Sequence, residues 1–168
     1  MSNGPNIAVI GCGYWGPNLI RNFSAIPESC NMSLVCDQRR DRLVHMERLY
    51  PWAETTTDFD AVINHPSIDA VAIATPIRTH YELAKRCLNA GKHTFVEKPL
   101  ADSVERAQDV VDTARRTGRK LVVGYILRQH PSWVKFIEIA QQLGTPLVFR
   151  MNLNQQSSGK TWETHKAL

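Results

Sequence analysis

Only four cysteines occur in 168 residues, Cys12, Cys30, Cys36 and Cys87, with no C-x-x-C pair and no histidine at metal-ligand spacing. That scarcity excludes a disulfide framework or zinc ribbon and predicts reduced thiols in core or loop positions. No apolar run approaches the ~20 residues that a bilayer-spanning helix needs, so no membrane partner is expected. Met1-Ser2-Asn3-Gly4-Pro5 supplies neither a basic nor an apolar leader segment, and the cytoplasm is the expected compartment. Charge of one sign is also lacking: 20 Lys and Arg face 16 Asp and Glu, and the pairs Arg39-Arg40, Lys85-Arg86 and Arg115-Arg116 stand near acids. A net charge of +4 spread in this way is a mildly basic surface, not a nucleic-acid footprint. Repeats and low-complexity tracts are missing too.

What is present is an ordinary globular composition, 43% hydrophobic and 21% charged, which supports a sizeable core. The length accommodates one compact domain and the opening of a second. Over the first 125 residues, short β-branched runs alternate with longer helical patterns, the signature of βαβ units and a doubly wound parallel sheet with helices on both faces. Strands are expected at Ile7-Ile10, Ser33-Cys36, Ala70-Ala74, Thr94-Val96 and Leu121-Val123.

Between these runs, Leu19, Ile20 and Phe23 mark one amphipathic helix over Tyr14-Phe23. Leu43, Val44, Met46 and Leu49 mark another over Asp41-Tyr50. Thr79-x-x-Glu82 reads as a capping box for a third, with Gly91 after its last turn. A fourth starts near Asp102 or Ser103 and stops at Gly118. After Tyr125 a helix from about Ser132 to Leu143, closed by Gly144, precedes a strand in which Leu147, Phe149, Met151 and Leu153 alternate with Val148, Arg150, Asn152 and Asn154. One helix and one strand do not make a domain. The expected organisation is therefore a dinucleotide-binding domain at 1–125 and the truncated beginning of a substrate or oligomerisation domain at 126–168.

Three clusters carry chemistry, each placed directly after an expected strand. The first is Gly11-x-Gly13-x-x-Gly16. Gly11 permits the tight turn, Gly13 lets the backbone approach a pyrophosphate, and Gly16 allows close packing of helix on sheet. Phosphate would then meet the unpaired N–H groups at a helix start. Tyr14 and Trp15, inside the loop, are counted among the cofactor contacts.

Asp37 closes the second strand 21 positions after Gly16, matching the acid expected about 20 residues on to accept from an adenosine ribose. Its alternative is a turn or cap residue before the next helix. An acid there favours NAD over NADP, although Arg39 and Arg40 follow closely enough to pair with a 2′-phosphate.

In the second cluster, Thr75 and Pro76 offer a hydroxyl and a rigid loop to a cofactor ribose or nicotinamide. His80 follows with a structural or a binding role. The third cluster is Glu97-Lys98-Pro99. An ammonium at a strand end beside a nicotinamide would orient a substrate hydroxyl and stabilise developing negative charge on its oxygen, with an ordinary exposed Glu-Lys pair as the alternative. Lysine titrates far above neutrality, which favours orientation and electrostatics over base catalysis.

With these motifs in order, Ile7 to Gly16, Asp69 to His80, and Gly91-Lys92-His93 through Glu97-Lys98-Pro99-Leu100, the chain resembles the glucose-fructose oxidoreductase / inositol dehydrogenase / MocA family of nicotinamide-dependent sugar oxidoreductases. The run Gly-Cys-Gly-Tyr-Trp-Gly-Pro-Asn resembles the branch acting on sugars or nucleotide sugars. The resemblance implies an N-terminal Rossmann domain binding NAD, less readily NADP, and Lys98 as the catalytic lysine. It also implies Tyr125 and Arg128 near the cofactor, a sugar or nucleotide-sugar substrate, and a second domain whose Asp and His acid/base pair lies beyond residue 168. His130 and His165 do not occupy that motif. Arg150, Asn152, Asn154 and Gln156 would line a sugar pocket or form a solvated sheet face.

The function expected is hydride transfer between nicotinamide C4 and a sugar carbon. The alternative is an NAD(H)-binding fragment or subunit without turnover. A homo-oligomer, or self-association through the C-terminal segment by the apolar face of its strand, is expected.

Overall fold

A computed structural model of the chain describes residues 4–145 together with Val148 and Arg150. Among these residues six strands form one parallel sheet: β1 (Asn6–Ile10), β2 (Asn31–Cys36), β3 (Glu54–Thr56), β4 (Ala70–Ile73), β5 (His93–Val96) and β6 (Leu121–Val123). The helices between them are α1 (Gly16–Ser24), α2 (Arg40–Leu49), α3 (Phe59–Ile63), α4 (Ile77–Asn89) and α5 (Val104–Thr117). The strand order is β3-β2-β1-β4-β5-β6, the doubly wound arrangement in which winding reverses between β1 and β4.

The sheet is buried on both faces because successive strand residues point to opposite sides. Ala8 and Ile10 of β1 join Leu34, Val71, Ile73 and Val96 on one face, under Val62 of α3, Ala84, Cys87 and Leu88 of α4 and Val110 of α5. Val9, Val35 and Ala72 face the other way, against Ile20 of α1 and Leu43 and Met46 of α2. Full burial of each large aliphatic side chain contributes roughly 1.5–3 kcal/mol. The two-sided core is why these strands read as continuous apolar runs.

Helix punctuation holds where the signal is local. Ser103 caps α5 by accepting from Arg106 N, and Gly118 ends that helix in the left-handed region at φ 66°. Gly91, at φ 79°, follows α4, where Lys92 N donates to Cys87 O at 2.9 Å. The capping box at Thr79 is overturned. Helix α4 begins at Ile77 with Pro76 at its N-cap, so Thr79 lies inside the first turn, its Oγ1 2.7 Å from the Pro76 carbonyl. Two elements escaped the sequence reading. Strand β3 is three residues long and exposed at Glu54, and α3 is a five-residue helix capped by Asp58.

The chain divides into two compact units, Met1–Gly124 and a second beginning at Tyr125. The second, taken by itself, holds a 3-10 turn at Ile126–Gln129 and helix α6 (Pro131–Ala140), where His130 accepts from Ser132 N. Helix α6 ends earlier than the expected Leu143, and its C-cap is Gln141. Gly144 is therefore not the cap, although it is left-handed at φ 79°. Apart from Val148 and Arg150, neither of which is in a strand, the expected strand at Leu147–Leu153 and the polar tract after it, including Gln156 and His165, lie outside the described residues. No helix among the described residues is long and apolar enough to cross a membrane.

Candidate functional site

Parallel strands place all their carboxyl ends on one edge, and the adjacent order β2-β1-β4-β5 brings four loops together there. They follow Ile10, Cys36, Ile73 and Val96, the last residues of those strands. Backbone hydrogen bonds tie them in sequence: Gly11 N donates to Cys36 O at 2.7 Å, Ala74 N to Ile10 O at 2.8 Å, and Glu97 N to Ile73 O at 2.9 Å.

The three loop glycines are required for three different reasons. Gly11 adopts φ 95°, and a Cβ there would also come within 2.7 Å of the Ala74 carbonyl oxygen. Gly16, the first residue of α1, sits directly on Gly11, and a Cβ on it would collide with the Gly11 carbonyl oxygen. Gly13 meets almost nothing: the nearest atom to its Cβ position is Arg42 Nη1 at 3.6 Å. The protein alone thus accounts for Gly11 and Gly16, whereas at Gly13 the missing side chain leaves an open approach to the backbone, as a pyrophosphate needs. Helix α1 has no acidic residue in its first turn, so the positive end of its dipole is uncompensated there. Trp15 is its N-cap, while Tyr14 projects at 79% exposure.

Asp37 is buried at 6% exposure. Its Oδ2 accepts from Cys12 N at 2.6 Å and its Oδ1 from Arg39 N at 2.8 Å. The second bond closes a turn, so the turn role weighed for this residue is present in the structure. The cap of α2, however, is Arg39. The sequence reading missed Arg42, whose Nη1 lies 3.3 Å from Asp37 Oδ2. Arg39 and Arg40 instead pair with Asp41 and Glu47. The available signal was position, since Arg42 stands in the first turn of α2, five residues after Asp37.

At the β4 end, Thr75 Oγ1 lies 2.7 Å from Thr79 Oγ1. His80 is 2% exposed and does not reach the surface. Its Nε2 lies 2.7 Å from Thr75 O and its Nδ1 2.7 Å from Pro99 O.

At the β5 end, Lys98 is exposed and the Lys98-Pro99 bond is cis. Glu97 is buried, and among the described residues it forms no ion pair with Lys98, so the alternative of an exposed Glu-Lys pair fails. Its Oε2 accepts weakly from Lys98 N at 3.3 Å, while Oε1 is buried without a hydrogen-bond partner. Gly124 makes room for this carboxylate, since a Cβ there would lie 3.0 Å from Glu97 Oε2. Tyr125 and Arg128 belong to the second unit, where both are exposed.

The cysteines fit a passive role. Burial, reinforced by the nearby Asp37 charge, pushes Cys12 and Cys36 up to about 12, and burial alone does the same to Cys87. Cys30 is raised as well, by burial and then Glu28. Among the described residues, no group of three His, Cys, Asp or Glu could hold a metal ion.

Comparison with known proteins gives the same edge a family. The chain is 35% identical over 131 residues to an inositol 2-dehydrogenase of Saccharopolyspora erythraea, covering 77% of this chain and 39% of that protein. It is 30% identical over 166 residues to an inositol 2-dehydrogenase of Klebsiella pneumoniae, covering 96% of this chain and 49% of that one. The chain spans about half the length of the curated relatives it matches. Among solved structures, a 3-ketoreductase from Actinomadura kijaniata in complex with NADP and TDP-benzene superposes with a TM-score of 0.76 at 25% identity, over 83% of this chain and 43% of that one. A scyllo-inositol dehydrogenase from Lactobacillus casei with bound NAD(H) and scyllo-inositol shares the fold, with a TM-score of 0.77 at 24% identity over 83% of this chain and 42% of that one. Residues 5–125 match the family profile described as oxidoreductase family, NAD-binding Rossmann fold, and the chain belongs to that GFO/IDH/MocA family.

Proposed function

We propose that this chain forms the cofactor-binding part of an oxidoreductase acting on a hydroxyl of a sugar, a cyclitol or a nucleotide sugar, with Lys98 at the reacting oxygen. The observation that carries this reading is the position of Lys98. It is exposed at the carboxyl end of β5, on the edge that also carries the glycine loop, Asp37 and Thr75. A nicotinamide dinucleotide, when bound, supplies the hydride acceptor or donor. Gly11, Gly13 and Gly16, with the start of α1, hold its pyrophosphate. Asp37 takes the adenosine ribose, and Thr75 and Pro76 border the nicotinamide half.

Lys98 donates a hydrogen bond to the substrate oxygen and stabilises the charge that develops on it. Glu97 stays buried and fixes the backbone that presents Lys98. The second unit, from Tyr125 onward and including Arg128, begins the substrate or oligomerisation part, and a homo-oligomer is the expected assembly.

Fluorescence titration of the 168-residue chain with NADH tests the cofactor reading, and saturable binding that Gly13→Val abolishes supports it. Binding unchanged in Gly13→Val, or absent in the wild type, rejects it. Turnover is followed separately with a panel of sugars, cyclitols and nucleotide sugars, using a chain of the relatives' full length.

A further inference from the structure

We propose that Arg42 lets this cofactor site accept a 2′-phosphorylated dinucleotide as well as the unphosphorylated one. The inference rests on the cofactor reading above. An acid at the end of β2 ordinarily repels a 2′-phosphate, but the repulsion depends on the charge that its neighbours leave standing. Here the acid is already answered. Cys12 N, Arg39 N and Arg42 Nη1 occupy Asp37 at 2.6, 2.8 and 3.3 Å, out of about four acceptor directions that a carboxylate offers. With Arg42 beside it, the pair carries no net charge.

Of Arg39, Arg40 and Arg42, Arg42 alone hydrogen-bonds this carboxylate through its guanidinium. Arg39 Nη2 lies 2.5 Å from Asp41 Oδ2 and Arg40 Nη1 2.5 Å from Glu47 Oε1, which leaves those two guanidiniums engaged along α2. Arg42 also reaches towards the glycine loop, its Nη1 lying 3.6 Å from the Cβ position of Gly13. It therefore spans the stretch from the acid to the loop where the adenosine end and the pyrophosphate of a dinucleotide would run.

Its side chain is 38% exposed, and a guanidinium carries five N–H donors in a planar fork suited to phosphate. One nitrogen on Asp37 leaves the rest of that fork for a ligand. A cation in the first turn of a helix also opposes the helix dipole, so Arg42 gains little from α2 itself and is held there by Asp37.

The test is parallel titration of the 168-residue chain with NADH and with NADPH, read by nicotinamide fluorescence. Wild type, Arg42→Gln, Arg42→Lys and Arg39→Ala are compared, and folding of each is verified by its circular dichroism melt. The wild type is expected to bind NADPH within about tenfold of NADH. Arg42→Gln is expected to weaken NADPH at least about tenfold more than it weakens NADH, the loss of one fork-to-phosphate contact. Arg42→Lys, which keeps the charge without the fork, is expected to recover part of the NADPH affinity.

A wild type that discriminates against NADPH beyond that range overturns the proposal while the cofactor reading stands. Equal effects of Arg42→Gln on both dinucleotides, or a selective loss produced by Arg39→Ala instead, do the same. A wild type that binds neither dinucleotide removes the cofactor reading and this proposal with it.

Discussion

His80 Nδ1 lies 2.7 Å from the carbonyl oxygen of Pro99, and the opposite nitrogen of the same ring lies 2.7 Å from the carbonyl oxygen of Thr75. One buried ring on α4 therefore joins the loop after β4 to the loop that carries Lys98. A neutral imidazole donates from one nitrogen and a protonated one from both. A hydrocarbon ring donates from neither. His80→Phe is expected to lower stability by about 3 kcal/mol, the cost of leaving buried carbonyls unpaired, in urea unfolding. His80→Gln, which keeps a donor, is expected to lose less.

Gly13 and Gly16 should separate stability from binding. At Gly16 a Cβ would collide with the Gly11 carbonyl, so Gly16→Ala is expected to destabilise the fold by about 3 kcal/mol, an overpacking cost. Gly13→Ala meets only Arg42 at 3.6 Å and is expected to change stability by less than about 0.5 kcal/mol. Its dinucleotide affinity should nevertheless fall. Denaturant midpoints and NADH titrations of the two variants read both quantities.

The thiols give a pH prediction whose sign is fixed by burial. Cys12, Cys36 and Cys87 are raised from 9.0 to about 12 in the folded chain. A raised folded value means that the contribution is fully present below the unfolded value and is lost as pH rises from about 9 through about 12. Unfolding free energy should therefore fall over that alkaline range, and less steeply in a variant with all three changed to Ala. At neutral pH Cys12, Cys36 and Cys87 should react with a disulfide reagent more slowly in the native chain than in the unfolded one, since the thiolate is the reactive form.

Lys98→Ala should leave NADH affinity within about threefold and stability within about 0.5 kcal/mol, because the side chain is exposed. In a protein of the relatives' full length it should lower kcat about 100- to 1,000-fold, the usual size of a lost electrostatic contact to a developing oxyanion. A kcat unchanged by Lys98→Ala would exclude the role proposed for this residue.

Much of the site was legible because its signals are local. Gly11, Gly16 and Gly118 announce backbone conformations or close approaches that other residues resist, and Asp37 and Glu97-Lys98-Pro99 each follow an apolar run. The failures were also local in origin. At Thr79 the residue pattern fitted a capping box, but Pro76 takes the N-cap three residues earlier. Strand β3 consists of Glu54, Thr55 and Thr56, too short and too polar for periodicity to register, and it pairs only because β2 lies beside it.

By itself the sequence determined the doubly wound sheet and which residues stand at the carboxyl ends of its strands, because strand periodicity, glycine conformation and the order of βα units act over a few neighbours. The tertiary structure alone decided which arginine faces Asp37, that His80 spans two loops, that Glu97 is buried beneath Gly124, and that Gly13 is open where Gly16 is closed. Each of these depends on residues brought together by the β3-β2-β1-β4-β5-β6 order, in which strands distant in the chain become neighbours and their side chains compete for the same few hydrogen-bonding partners and the same space.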